Sequence, residues 1–149
     1  MVKLHKTITI HAPIEKVFAF MSDPRNLPDI WPSMIDVKNV TPAAHGGYNF
    51  GWVYKMAGMK FDGASETTEF VLNQRNVTRS TKGIESKFVW VYQPEGHNTK
   101  LTVDIEYTVP VPLLGKIAEA IIVKQNDHEG DTLLENLKNR MEIETPIPA

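Results

Sequence analysis

Proton transfer near neutral pH calls first for histidine, and the chain carries five: His5, His11, His45, His97 and His128. No two of them stand in an H-E-x-x-H or His-x-His spacing, so no metal site is expected. Cysteine is absent, which removes disulfides, Cys-ligated zinc, iron–sulfur clusters and thiol nucleophiles. There is no G-x-S-x-G elbow and no Walker loop, and Gly46-Gly47 is too short to cradle a phosphate. Asn76-Val77-Thr78 is formally a glycosylation sequon but carries no weight without a secretory signal. His128 is what remains. With Gln125 it sits close to the inward stripe of a helical tail, where it could orient a ligand carbonyl or act as an acid or base, with Tyr54 or Tyr92 moving protons beside it. The competing reading is a partly exposed helix histidine between Asp127 and Glu129. With no complete catalytic set, His128, Tyr54 and Tyr92 stand as weak catalytic candidates only.

A second constellation is aromatic. In Tyr48-Asn49-Phe50-Gly51-Trp52-Val53-Tyr54-Lys55-Met56, the side chains of Tyr48, Phe50, Trp52, Tyr54 and Met56 share one parity, so a strand here turns five large groups to one sheet face. Phe88, Trp90 and Tyr92 repeat the pattern, as do Leu101, Val103, Ile105 and Tyr107. Such a face is either a filled core or the wall of a pocket with a few phenol and indole donors. Between Met59 and Leu72 the alternation breaks. Asp62, Ser65, Glu66, Thr67, Thr68 and Glu69 put polar groups on both faces. Either a bulge near Gly63 shifts the register, or Ser65, Thr67 or Glu69 faces a partly wet cavity; a solvated outer face is the plainer account of the carboxylates.

The elements that must hold these groups follow from period and punctuation. The 149 residues suit a single domain spanning 1–149, and 42% apolar with 23% charged residues is ordinary for a soluble globular chain. A formal charge of −2 offers no basic excess for nucleic acid. The start lacks the apolar run of a signal peptide and no segment is long enough to span a membrane, so a cytoplasmic protein is expected. Leu4, Ile8 and Ile10 alternate with Lys3, His5, Thr7 and Thr9 as a half-buried strand. Pro13 then opens a helix with Ile14, Val17, Phe18 and Met21 on one side, ended by Asp23-Pro24. A second short helix is expected over Arg25–Trp31. Six strands follow: Ile35–Thr41, Tyr48–Met56, Met59–Leu72, Asn76–Thr81, Glu85–Gln93 and Lys100–Val109. Their short connections predict an antiparallel meander. From Leu113 to about Ile143 the pattern is helical, with Leu114, Ile117, Ala118, Ile121, His128, Leu134, Leu137 and Met141 near one face. Gly130 inside it predicts a bend or a break into two helices. The fold class is α+β.

The run Ile10-His11-Ala12-Pro13-Ile14-Glu15-Lys16-Val17-Phe18-Ala19-Phe20-Met21-Ser22-Asp23, continued by Leu27-Pro28-Asp29-Ile30-Trp31-Pro32, resembles the opening of the START-like, or SRPBCC, superfamily, and most closely its polyketide cyclase/dehydrase and lipid-transport branch. The element order agrees over essentially the whole chain. The resemblance implies a helix-grip fold of the START and birch-pollen-allergen type: a curved antiparallel sheet of about seven strands wrapped around a long C-terminal helix, two short helices after the first strand, and an internal hydrophobic cavity. The motif itself is expected to be structural, with none of its residues at a ligand. With the resemblance, the pocket becomes the favoured account of the aromatic face. Its expected lining is Tyr48, Phe50, Trp52, Tyr54, Phe88, Trp90, Tyr92, Val103, Ile105, Tyr107, Ile117, Ile121, Gln125 and His128, with a mouth between Pro112-Leu113 and the loops around Gly46 and Gly58. The function expected is binding of a small hydrophobic or aromatic ligand (a lipid, quinone or polyketide-like molecule) as carrier or sensor, with no cofactor. A polyketide cyclase or dehydratase is the alternative, and a protein-interaction module like the superfamily's chaperone-ATPase activators a further one. Oligomeric state is not legible.

Overall fold

Period-two alternation over most of the first 107 residues becomes a seven-stranded antiparallel sheet. The computed structural model describes residues 1–110 and 115–143. Its strands are β1 (Val2–Ile10), β2 (Met34–Pro42), β3 (Tyr48–Met56), β4 (Met59–Val71), β5 (Arg75–Lys82), β6 (Ser86–Glu95) and β7 (Asn98–Tyr107). They pair in the order β1-β7-β6-β5-β4-β3-β2. The first two strands therefore occupy opposite edges, and the chain crosses from one to the other through α1 (Ile14–Ser22), a 3-10 turn (Pro24–Asn26) and α2 (Leu27–Ile30). The helix expected over Arg25–Trp31 is thus two short pieces. Val17, Phe18 and Met21 bury the inner side of α1. Asp23 stops it: its carboxylate accepts from the backbone N–H of Arg25 at 3.0 Å and from the Arg25 guanidinium. That guanidinium holds the Asp23 carboxyl below the usual range. Between β3 and β4, Ala57 and Gly58 both take positive φ, 53° and 76°, as a two-residue hairpin turn requires.

After the sheet comes α3 (Gly115–Ile143), 29 residues and roughly 44 Å long at 1.5 Å per residue. It runs through Gly130 as one helix, so the break into two helices does not occur. The glycine serves another purpose: a Cβ there would stand 2.9 Å from Lys6 Cε. Its absence lets the Lys6 chain cross the helix and place the ammonium 2.7 Å from Asp131 and 3.1 Å from Asp127. Burial lowers the Lys6 pKa, but the hydrogen bonds and charges of Asp131 and Asp127 outweigh it, so the net shift is upward. Lys6 lies on the same parity of β1 as Leu4, Ile8 and Ile10, facing the helix rather than the solvent.

The two halves of α3 are held differently. Leu133, Leu134, Leu137 and Met141 are buried, and polar clamps surround them. Asn136 donates to the Ile30 carbonyl at 3.0 Å, Lys138 to the Thr9 carbonyl at 2.8 Å, and Glu142 accepts from the His11 N–H at 2.9 Å. In the first half, among the described residues, only Ile122 is fully buried, while Ile117 is 82% and Ile121 54% exposed. The expected apolar face is therefore wrong in its first half. At about 100° per residue, the sixteen steps from Ile121 to Leu137 turn roughly 160°, so the two cannot share a side. The side continuous with Leu137 carries Ile122, Asn126, Gly130 and Leu133. Pro112, Leu113 and Leu114 lie outside the described residues. No described helix is long and apolar enough to cross a membrane.

Candidate functional site

Regular pairing of β3 with β4 carries Phe50 opposite Ser65, Trp52 opposite Gly63 and Tyr54 opposite Phe61. The aromatic face of β3 and the inner face of β4 therefore form one surface. The Trp52 ring needs the missing side chain of Gly63, since a Cβ there would run into the indole. Laid across β4 in this way, the ring donates its N–H to Ser65 Oγ at 2.9 Å. Both readings of the broken alternation in β4 hold in part. Ser65 and Thr67 do face inward, and the register against β5 does shift, once beside Gly63 and once further along. The irregularities fall between Ala64 and Ser65 and between Thr67 and Glu69. Glu69 instead pairs with Arg75 at 3.0 Å, both half-exposed.

Between this surface and α3 lies a cavity of about 120 Å³, the scale on which an apolar hollow of about 150 Å³ accepts one benzene ring. Tyr48, Phe50, Trp52, Tyr54, Phe88, Trp90, Ile105 and Tyr107 all border it, as placed by parity. Ring contacts run along it without interruption. Trp31 meets Tyr54 edge-on at 5.5 Å and Phe88 at 5.4 Å, and Phe88 lies nearly parallel to Trp90 at 6.3 Å with an interplanar angle of 11°.

The two ends of the cavity differ in polarity. At the α3 end the polar groups are engaged. Trp31 Nε1 donates to the Tyr54 hydroxyl at 3.3 Å, Asn126 Nδ2 to the Tyr107 hydroxyl at 3.0 Å, and the Ser33 backbone N–H to Glu129 at 2.7 Å. Burial pushes the Tyr54 pKa up to about 12 and raises that of Tyr107, so both are neutral phenols at neutral pH. The other end lies under α1, where Phe18 packs on Phe70 and Tyr92 at 5.3 and 4.9 Å. Ser22, one turn after Phe18, and Asn76, in register with Phe70 and Trp90, border the cavity there. Ser22 Oγ and Asn76 Oδ1 are both buried with no hydrogen-bond partner.

Several expected lining residues lie elsewhere. Tyr92 and Val103 are buried in the packed core and do not border the cavity; burial alone raises the Tyr92 pKa far above its ordinary value. Ile117 points to solvent. Ile121, Gln125 and His128 line a separate open cleft of about 730 Å³ between the first half of α3 and the hairpin turn at Ala57-Gly58. The helix phase given above is the reason: these residues sit on the side of α3 turned away from the sheet. Met56, Asn126 and Glu129 border both spaces, and Asn126 Nδ2 lies 3.9 Å from Met56 Sδ. Gly58 thus stands at the outer cleft, while Gly46 and Gly47 lie against the Phe70 ring and Thr67.

The opening motif also does more than hold the fold. Met21, Ser22, Pro24, Leu27 and Trp31 all border the cavity, because the segment bridging the sheet edges covers its open side. Asn76 and Thr78 turn inward from β5, and at 6% exposure Asn76 is no glycosylation acceptor. Sequence reasoning missed Ser22, Asn76, Asn126 and Glu129. Parity could have found Asn76, which shares an inward face with Thr78. Among the described residues no group of three His, Asp or Glu side chains could hold a metal ion.

The family model for polyketide cyclase / dehydrase and lipid transport matches residues 1–142. The chain belongs to that family. No curated protein matches it at a significant level. Solved structures similar to this polyketide cyclase/dehydrase and lipid-transport family member share its helix-grip fold at low sequence identity. A protein from Thermus thermophilus is 22% identical with a TM-score of 0.83, over 97% of this chain and 100% of that one. A START superfamily protein from Mycobacterium smegmatis is 19% identical with a TM-score of 0.80, over 96% and 99%. The Zhui aromatase/cyclase from Streptomyces sp. R1128 is 15% identical with a TM-score of 0.73, over 93% and 94%.

Proposed function

We propose that the protein binds a small aromatic or otherwise hydrophobic molecule in the cavity between sheet and α3, as a carrier or sensor. The observation that carries this reading is the uninterrupted line of rings from Tyr54 through Trp31 and Phe88 to Trp90 along one cavity. Flat apolar walls with a few fixed donors are how small-molecule sites are commonly built. Met56, Asn126 and Glu129, shared by cavity and outer cleft, form the mouth in this reading.

The cyclase or dehydratase alternative is weaker on this geometry. His128 borders the outer cleft and not the cavity. Tyr54, its pKa pushed up to about 12, offers a hydrogen bond rather than a base at neutral pH. Native mass spectrometry of freshly purified protein, followed by solvent extraction, tests the proposal. A stoichiometric lipid, quinone or aromatic adduct supports it and names the ligand class. A bare mass, together with no thermal shift across a panel of aromatics and quinones, overturns it.

A further inference from the structure

We propose that the α3 end of the cavity is a cation subsite built on Glu129, so that the ligand is a hydrophobic amine, with one aromatic ring inside the cavity and a protonated nitrogen beside the Glu129 carboxylate. This rests on the cavity being the ligand site and adds the charge that the site selects.

At this end the N–H donors are committed within the protein. Trp31 Nε1 donates to the Tyr54 hydroxyl, Asn126 Nδ2 faces the Tyr107 hydroxyl and Met56 Sδ, and the Ser33 N–H goes to Glu129 Oε1. A carboxylate offers about four lone-pair positions on its two oxygens, and this one receives that single backbone donor. Among the described residues no ion pair holds Glu129. Lys55 and Lys124 line the outer cleft with it but are not paired with it. Asp127, the neighbouring carboxylate, is by contrast held by the Lys6 ammonium at 3.1 Å. The Tyr54 and Tyr107 hydroxyls keep their protons but bring no charge: burial above all, with the Glu129 charge adding to it, pushes the Tyr54 pKa up to about 12.

Glu129 is half-buried and borders both the cavity and the outer cleft. A ligand seated there displaces water from the carboxylate, and its chemistry decides what takes the water's place. A hydrocarbon supplies nothing. An alcohol restores one hydrogen bond and leaves the charge uncompensated, while an anion adds repulsion. A protonated amine supplies both the donor and the opposite charge. The adjoining wall also favours a cation: Trp31 and Tyr54 border the cavity and meet edge-on at 5.5 Å, and indole and phenol rings attract positive charge. Beyond them Phe88, Trp90 and Ile105 border the apolar remainder of a space of about 120 Å³, room for about one ring.

The test is an NMR titration of the full-length protein with benzylamine, benzyl alcohol, ethylbenzene and benzoate, followed through the tryptophan indole N–H signals. Benzylamine is expected to bind about tenfold tighter than benzyl alcohol, and benzoate weakest of the four. In Glu129→Gln, whose amide oxygen can still accept from Ser33, the advantage of the amine over the alcohol should fall to about twofold or less. Asp127→Asn, which removes a carboxylate that Lys6 already holds, should keep most of it. Benzyl alcohol or benzoate binding within about twofold of benzylamine overturns the proposal and leaves the cavity reading intact. So does an advantage that survives Glu129→Gln, or one that appears without movement of the indole signals, which places the amine in the outer cleft. If Glu129→Gln does not fold, Glu129→Ala carries the same comparison. Binding of none of the four overturns the cavity reading itself, and this proposal with it.

Discussion

The two halves of α3 are made from one continuous helix yet do opposite work. From Leu133 to Met141 the helix is driven into the sheet and the bridging segment by four buried apolar side chains, and its ends are tied by Asn136, Lys138 and Glu142 to backbone groups of other elements. From Ile117 to Glu129 it carries one fully buried apolar residue, Ile122, and meets the body largely through Asn126 and Glu129, both of which border the cavity. Dry packing resists opening because every contact must be lost together. A polar roof can exchange its partners for water or a ligand at little net cost. The comparison teaches that stability and access are assigned to different turns of the same element.

The largest effect expected is at the dry end. Leu137 is fully buried, so Leu137→Ala should cost about 2–5 kcal/mol in urea unfolding while leaving the affinity for an aromatic cavity ligand nearly unchanged at temperatures where the variant is folded. A second way to loosen that end is through charge. The Glu142 carboxyl is pushed up by burial but pulled further down by the His11 N–H and Lys138, leaving it below the usual carboxylate range. A depressed folded-state value gives stability that is present above the unfolded value and lost as pH falls through the folded one. Glu142→Gln should therefore lower the unfolding free energy at pH 7 by about 1 kcal/mol. The gap from the unaltered protein should shrink steadily as pH drops below about 4.3.

The roof should respond in the other currency. Asn126→Ala removes the bonds to Tyr107 and Met56 and is expected to cost under about 1 kcal/mol, but to raise acrylamide quenching of tryptophan fluorescence and speed ligand release severalfold. If it destabilises as much as Leu137→Ala, the two halves do not differ in kind. His128→Ala should do least: stability within about 0.5 kcal/mol and affinity for an aromatic cavity ligand within about twofold. A loss of binding larger than tenfold would move the site to the outer cleft.

Much of this fold was legible because strands announce themselves by parity. The inward set Tyr48, Phe50, Trp52 and Tyr54 needed only alternate positions, and the bridging helices only Pro13 and Asp23-Pro24. Where the sequence misled, a specific competing signal was at work. Ile117 and Ile121 are apolar yet exposed, so they drew the helix face toward themselves and took Gln125 and His128 with them. Lys6 shares parity with Leu4 and Ile8, but its charge left it out of the apolar set from which the inward face was read. The inward Ser65 and Thr67 could not be decided because the register shifts of β4 against β5 depend on pairing with a second strand. The unpartnered Asn76 is invisible to composition, since only a fold can show that an amide has been left without a partner.

The crossing of Lys6 over Gly130 has an evolutionary consequence. A side chain at position 130 and the long chain at position 6 claim the same volume, so position 130 cannot gain one unless the Lys6 chain moves aside or shortens. Across descendants of this sequence the two positions should therefore drift as a linked pair: alanine or larger at 130 should accompany a shortened residue at 6, and the aspartates at 127 and 131 should then be released to vary.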